Sequence, residues 1–217
     1  QVDNEVVIGF SRDSRQIKPG EIFVAIKGDK FDGHDFVKDV MKRGAAAALV
    51  DQAVDLTRGV ITVPDVTAAL GQLALSYRNK FAQPVIAITG SSGKTTTKEL
   101  LAHVLGSKGS VVATKGNLNN QWGVPFTIFE FNDAAAFFIV EMGANHLGEI
   151  RHLARITRPN AALITSIGRA HLEGLKNLKG VAQAKGELFE GLLGDAVAFV
   201  FGDDPHITKL PTRAQRV

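Results

Sequence analysis

Short, continuously apolar runs alternate with stretches of helical period along most of this chain. In the first third, residues 22–26, 45–50 and 60–63 read as strands, and residues 34–43 as a helix that sets Phe36, Val37, Val40 and Met41 on one face. Thr67 is expected to cap a further helix, whose Leu70, Leu73, Ala74, Tyr77 and Phe81 keep a 3.6-residue spacing until Pro84 stops it. Beyond Pro84 the apolar runs at 85–89, 137–142, 161–167 and 196–201 are unbroken, the pattern of strands covered on both faces. Helical stretches at 94–105, 149–156 and 178–193 lie between them. Strand, helix, strand in this order predicts an α/β protein, with a small N-terminal domain followed by a larger one built on a mostly parallel sheet. The boundary is expected within residues 79–84, giving domains at 1–82 and 83–217. In such sheets ligands collect beyond the carboxyl ends of the strands, so the residues just after each strand carry the candidate chemistry.

At 217 residues the chain is long enough for one large or two small domains to fold on apolar cores of their own. The absence of cysteine excludes a disulfide scaffold, a thiolate metal site and a thiol nucleophile. Any metal must be held by hydroxyl, carboxylate, imidazole or a modified amine. The formal net charge is only +3, from 25 basic and 22 acidic residues, and the basic ones form no run, so nucleic acid is not expected as a partner. The longest apolar stretches fall far short of the ~18 residues of a membrane span. No charged head followed by an apolar segment opens the chain, so a cytoplasmic protein is expected, acting as a monomer.

Directly after the strand at 85–89 comes Gly90-Ser91-Ser92-Gly93-Lys94-Thr95-Thr96, opening into a helix that carries Leu100, Leu101, Val104 and Leu105. Glycines let the backbone turn tightly and aim its N–H groups inward, and the start of the helix adds partial positive charge, which together make a cradle for phosphate. The expectation is a phosphate loop in which residues 90–96 hold a nucleotide, Lys94 reaches its β- and γ-phosphates and the Thr95 hydroxyl holds Mg2+. The usual loop has its first glycine five residues before Gly93, where this chain has Ile88; Gly90 stands only three before it. The shortened loop points away from small GTPases and generic kinases.

Glu141 follows the run at 137–140, where a carboxylate beside a phosphate loop can reach a metal. His171, beyond the strand at 161–167, is a second candidate ligand. Lys185 is the most informative residue outside the loop. On the helix at 178–193 the inward stripe runs Leu178, Val181, Lys185, Leu188, Leu192, so a lysine occupies a core position. Burial disfavours the ammonium and favours a neutral, nucleophilic amine that can take up carbon dioxide as a carbamate, an anionic metal ligand. The alternative is a stem that packs while its head reaches solvent. Finally, Lys115-Gly116-Asn117-Leu118-Asn119-Asn120-Gln121-Trp122-Gly123-Val124-Pro125 reads as turns, and its amides suit an uncharged or polyhydroxylated substrate.

Together these motifs resemble the Mur ligases, ATP-dependent enzymes that add amino acids to the peptidoglycan precursor. Asp13-Ser14-Arg15, Pro19-Gly20-Glu21-Ile22-Phe23-Val24-Ala25, Lys27-Gly28 and Asp32-Gly33-His34 carry the likeness in the first half. Thr89-Gly90-Ser91-Ser92-Gly93-Lys94-Thr95, Gly116-Asn117-Leu118-Asn119-Asn120, Glu141-Met142-Gly143-Ala144-Asn145-His146, His171-Leu172-Glu173-Gly174 and Ala184-Lys185-Gly186-Glu187 carry it in the second. The Ser-Ser pair of the loop and the Gly-Ala-Asn-His stretch look like the branch that joins D-alanyl-D-alanine (D-Ala-D-Ala) to UDP-N-acetylmuramoyl-tripeptide (UDP-MurNAc-tripeptide).

The resemblance implies an N-terminal domain that receives the UDP-MurNAc-peptide, with Ser14 and Arg15 in its recognition motif, and a central domain that uses ATP and Mg2+. It implies catalytic roles for Lys94, His171 and Lys185 and a metal set of Thr95, Glu141, His171 and carbamylated Lys185. Asn117, Asn119, Asn120, Asn145 and His146 are the implied substrate contacts. The implied reaction turns the tripeptide carboxylate into an acyl phosphate, which the amine of D-Ala-D-Ala attacks. Phe201 stands where the family has an adenine-contacting asparagine, two residues before Asp203-Asp204. The family's opening strand-helix segment and its third domain are expected to be missing, and the isolated chain to be weakly active or inactive. A non-catalytic module that binds nucleotide and UDP-sugar is the competing expectation.

Overall fold

A computed structural model describes residues 7–28 and 31–217. The first of two compact units extends to Gln72 and is built on a four-stranded sheet. Strands β1 (Gly9–Ser11), β2 (Glu21–Val24), β3 (Ala47–Val50) and β4 (Val60–Thr62) lie side by side in chain order, all parallel. A 3-10 turn at Gly33–Phe36, capped by the Asp32 carboxylate on the His34 N–H at 3.0 Å, delays the start of α1 (Val37–Lys42). Val37 and Val40 pack on Phe23, Ala48 and Val50, while Phe36 turns outwards.

Helix α2 (Val66–Arg78) corrects the expected cap. It begins one residue before Thr67, and Asp65 takes the capping role, its carboxylate accepting the Ala68 N–H at 2.9 Å. The helix also ends six residues short of Pro84. The N–H groups of Lys80 and Phe81 turn to carbonyls three residues back, which closes the last turn, so Phe81 reaches the core from beyond the helix.

The second unit runs from Leu73 onward. Its strands are β5 (Val85–Thr89), β6 (Val111–Ala113), β7 (Phe137–Glu141), β8 (Ala161–Ile164), β9 (Val197–Phe199) and β10 (Gln215–Arg216). They form one sheet in the order β10-β9-β8-β5-β7-β6, every pair parallel. The helices are α3 (Lys94–Gly106), α4 (Gly123–Phe129), α5 (Glu149–Thr157), α6 (Leu172–Leu175), α7 (Leu178–Glu190) and α8 (Pro205–Thr208). Val85, Ala87, Phe138, Val140, Ala162 and Ile164 of the sheet are buried, as strands covered on both faces require. Phe131 stacks on Phe138 with ring centres 3.8 Å apart.

Three apolar runs outlast their strands, which stop at Glu141, Ile164 and Phe199, and the surplus residues shape the crevice at the strand ends. β5 lies between β7 and β8, so the winding reverses at its carboxyl end and a crevice opens there. No helix among the described residues is long and apolar enough to cross a membrane.

Candidate active site

The chain leaves β5 through Gly90 and Gly93, whose φ angles are +152° and +79°. A Cβ on Gly90 would run into the Thr165 hydroxyl, so glycine is what allows the loop to pass this close to the end of β8. Hydrogen bonds lace the loop to that strand end. The Ser91 N–H donates to Ser166 O at 3.0 Å, the Ser92 N–H to Ser166 Oγ at 3.0 Å, and Thr165 Oγ1 to Ser92 O at 2.6 Å. The Ser91 hydroxyl also accepts the Gly168 N–H at 2.9 Å, so Ser91 already shapes the loop. Gly93 offers no side chain to cap α3, which leaves the start of that helix to an anionic ligand. Lys94 folds back over the loop and donates to Gly90 O at 2.8 Å.

Glu141 ends β7 opposite Ile88 of β5 and is 1% exposed. Thr95 Oγ1 donates to its Oε2 at 2.9 Å and Asn119 Nδ2 to its Oε1 at 2.8 Å, while its backbone N–H bonds Thr114 Oγ1 at 3.0 Å. Both carboxylate oxygens are therefore met by neutral donors, and their negative charge is directed at the first turn of α3.

Lys185 of α7 is also 1% exposed, and its Nζ has no hydrogen-bond partner. Burial, with repulsion from Lys94 added, brings its pKa down to about 8. His171 holds a left-handed backbone (φ 52°) at the start of α6, and its pKa is lowered first by burial and then by the charges of Lys185 and Lys94. Lys94, His171 and Lys185 thus lie within electrostatic reach of one another, and the core position read from the α7 stripe is real.

Asn145 and His146 are gathered by Glu149, which accepts both backbone N–H groups at 2.6 and 3.2 Å and contacts the His146 ring at 3.2 Å. Burial opposes ionisation of Glu149, but these bonds win and its pKa lies below the usual value. The buried Glu187 of α7 accepts the N–H groups of Gly148 and Arg151 at 2.7 and 3.1 Å, tying the start of α5 to the helix that carries Lys185. Glu187→Ala would leave two N–H groups unpaired. It is expected to cost about 3 kcal/mol of stability in urea unfolding, whereas Glu190→Ala on the exposed face of α7 should cost under about 0.5 kcal/mol.

Asn120 Oδ1 accepts the N–H groups of Trp122 and Gly123 at 3.1 and 2.8 Å and so shapes the start of α4, while Asn117 is exposed. In the first unit, Asp13 binds Arg15 through its backbone N–H (3.0 Å), Nε (2.9 Å) and a terminal nitrogen (2.8 Å). Those bonds from Arg15 hold the Asp13 carboxyl at about 2. They leave the Arg15 side chain 83% exposed, with Ser14 half-buried beside it. In the second unit, Phe201 is exposed and Asp204 caps α8 through the His206 N–H at 2.8 Å.

Sequence reasoning missed Thr114, Thr165, Ser166 and Lys98. Lys98 is the one fully buried side chain of α3 among the described residues, and it donates to Thr114 O at 2.6 Å. A spacing signal was available, since Lys98, Leu101 and Leu105 repeat the interval that marked Lys185. Among the described residues no three His, Asp or Glu side chains gather as a metal site.

Comparison with known proteins bears out the resemblance. The family model described as the Mur ligase middle domain matches residues 88–217, and that described as the Mur ligase family, catalytic domain, matches residues 7–78. The UDP-N-acetylmuramoyl-tripeptide–D-alanyl-D-alanine ligase of Escherichia coli (strain K12) is 43% identical over 192 residues, covering 88% of this chain and 42% of that protein. Among solved structures, MurF from Acinetobacter baumannii superposes with a TM-score of 0.92 at 37% identity, covering 97% of this chain and 47% of that one. A MurF ligase from Thermotoga maritima in complex with ADP gives 0.90 at 32% identity, covering 99% and 51%. The chain spans about half the length of the curated relatives it matches.

Proposed function

The chain belongs to the Mur ligase family, and on that premise we propose that it carries the substrate and ATP sites of a cytoplasmic ligase that joins D-Ala-D-Ala to UDP-MurNAc-tripeptide. The observation that carries this is the buried Glu141 carboxylate on the phosphate-loop threonine, with the buried, unpartnered Lys185 amine within electrostatic reach of the loop's Lys94. The first unit receives the UDP end of the substrate through Ser14 and Arg15, and the second uses ATP. The protein acts as a monomer.

The residues present fit Mg2+ and ATP. Glu141 carries charge met only by neutral donors, and Lys185 has an amine free to become a carbamate when its nitrogen bonds carbon dioxide and loses a proton. Thr95 would hold one Mg2+, and Glu141, His171 and carbamylated Lys185 a second. Bound there, Mg2+ supplies charge that screens the tripeptide carboxylate from the γ-phosphate. Lys94 exchanges Gly90 O for a phosphate oxygen and stabilises charge that builds as the carboxylate attacks and ADP leaves. Asn119 fixes the Glu141 carboxylate, and the Asn145-His146 turn, braced by Glu149 and Glu187, faces the peptide. The D-Ala-D-Ala amine then attacks the acyl phosphate, phosphate leaves and the amine loses a proton.

Calorimetric titration with UDP-MurNAc-tripeptide tests the substrate assignment. One-site binding is expected, weakened about tenfold or more by Arg15→Ala; no heat of binding would overturn it. Trapping an acyl phosphate as its hydroxamate, with ATP, Mg2+ and hydroxylamine added, separates a ligase from a module that only binds.

A further inference from the structure

Parallel strands that end at the phosphate loop begin at the opposite side of the second unit, where Asn160 Oδ1 accepts the Val85 N–H at 3.0 Å. Two adjoining cavities of about 350 and 290 Å3 lie there and share Arg158, Gly191 and Leu193. Leu75, Ala154 and Leu193 give the groove an apolar wall, and Arg78, Arg155 and Arg158 give it charge. None of these three arginines meets a carboxylate among the described residues, whereas the neighbouring Arg151 is matched by Glu187 and Glu190.

Arg78 is 7% exposed and donates to the carbonyls of Thr157, Phe81 and Arg158 at 2.8, 2.6 and 3.3 Å. Burial and then the charge of Arg158 lower its pKa, so two like charges are held close without a counter-ion. Compensation of the α5 dipole accounts for Arg78. It does not account for Arg155 and Arg158, whose side chains make no bond to those carbonyls. Arg158 also ends α5 with φ +47°, a conformation usually left to glycine at this place, and donates to Asn79 Oδ1 at 2.9 Å. Unmatched charge, backbone strain and an apolar wall meet in one groove.

We propose that this groove binds a small organic phosphate, with the phosphate at Arg155 and Arg158 and its apolar body along Leu75, Ala154 and Leu193. A phosphate monoester, with a charge of about −1.5 to −2, matches the two charges of Arg155 and Arg158. The site is separate from the phosphate loop and does not depend on the ligase assignment.

The test is an NMR titration of the whole chain with phenyl phosphate, in a Lys94→Ala background that weakens phosphate binding at the loop. Saturable shifts are expected at the amides of Arg158, Gly191 and Leu193. Arg158→Gly suits the left-handed backbone and Arg155→Gln lies on an exposed helix face, so neither should lower the urea midpoint. Each should weaken binding about tenfold. Absence of saturable shifts at these amides, shifts unchanged in the double variant, or equal shifts with phenol would overturn the proposal.

Discussion

Lys94→Ala is expected to remove most of the thermal stabilisation that ATP with Mg2+ confers, while the unliganded variant melts close to the wild type. In the free protein Lys94 is half-buried and bonded to Gly90 O, so its removal forfeits little in the fold. With ATP bound, that ammonium would face the most highly charged part of the ligand. A charge-assisted bond of about 3 kcal/mol corresponds to roughly a hundredfold in affinity. At a ligand concentration a hundred times the wild-type Kd, stabilisation would fall from about 2.7 to about 0.4 kcal/mol. Differential scanning fluorimetry reads this directly. Equal stabilisation of the variant and the wild type would mean that the nucleotide does not bind at this loop.

Lys185→Met is expected to do two opposite things, stabilising the fold and destroying function. Burial brings the folded pKa of Lys185 from its ordinary 10.5 down to about 8, so below pH 8 the folded chain carries a charge that the unfolded chain solvates better. Between about pH 8 and 10.5 the unfolded state binds more protons, and stability rises with pH across that window. The full penalty, about 3 kcal/mol, is present at pH 7. In urea unfolding without carbon dioxide, Lys185→Met should therefore be the more stable protein at pH 7 and show none of the wild-type rise above pH 8. Dissolved carbon dioxide should stabilise the wild type alone, because a carbamate replaces an ammonium that Lys94 repels with an anion that Lys94 attracts. A carbon-13 carbamate signal from labelled carbon dioxide should vanish in the variant. If Lys185→Met were less stable at pH 7, the amine would have a partner in the fold and the carbamate assignment would fail.

Much of the architecture is legible in the chain because it rests on local repetition. Unbroken apolar runs between amphipathic stretches specify parallel strands, and the Leu178, Val181, Leu188 stripe sets Lys185 at a core position, while only the fold shows that its amine is buried rather than reaching solvent. What escapes is short or depends on pairing across distance. Strand β6 has three residues, and α4 begins among asparagines that by themselves read as turns. Asn119 offers the same amide whether it meets substrate or Glu141, and only the fold brings positions 119 and 141 together. The Arg78 contact with Arg158 spans 80 residues and leaves no periodic trace. At α2 two cap-competent positions two residues apart, Asp65 and Thr67, differ by a register that hydrophobic spacing alone does not resolve.

The most direct test of the site is calorimetric titration of ATP into the whole chain at fixed Mg2+ and again with the metal chelated. One ATP should bind per chain with Mg2+ present and far more weakly without it, and Glu141→Ala should reduce the first case to the second. ATP binding that ignores both Mg2+ and Glu141, or no binding at all, would contradict a nucleotide site built on the loop and the buried carboxylate.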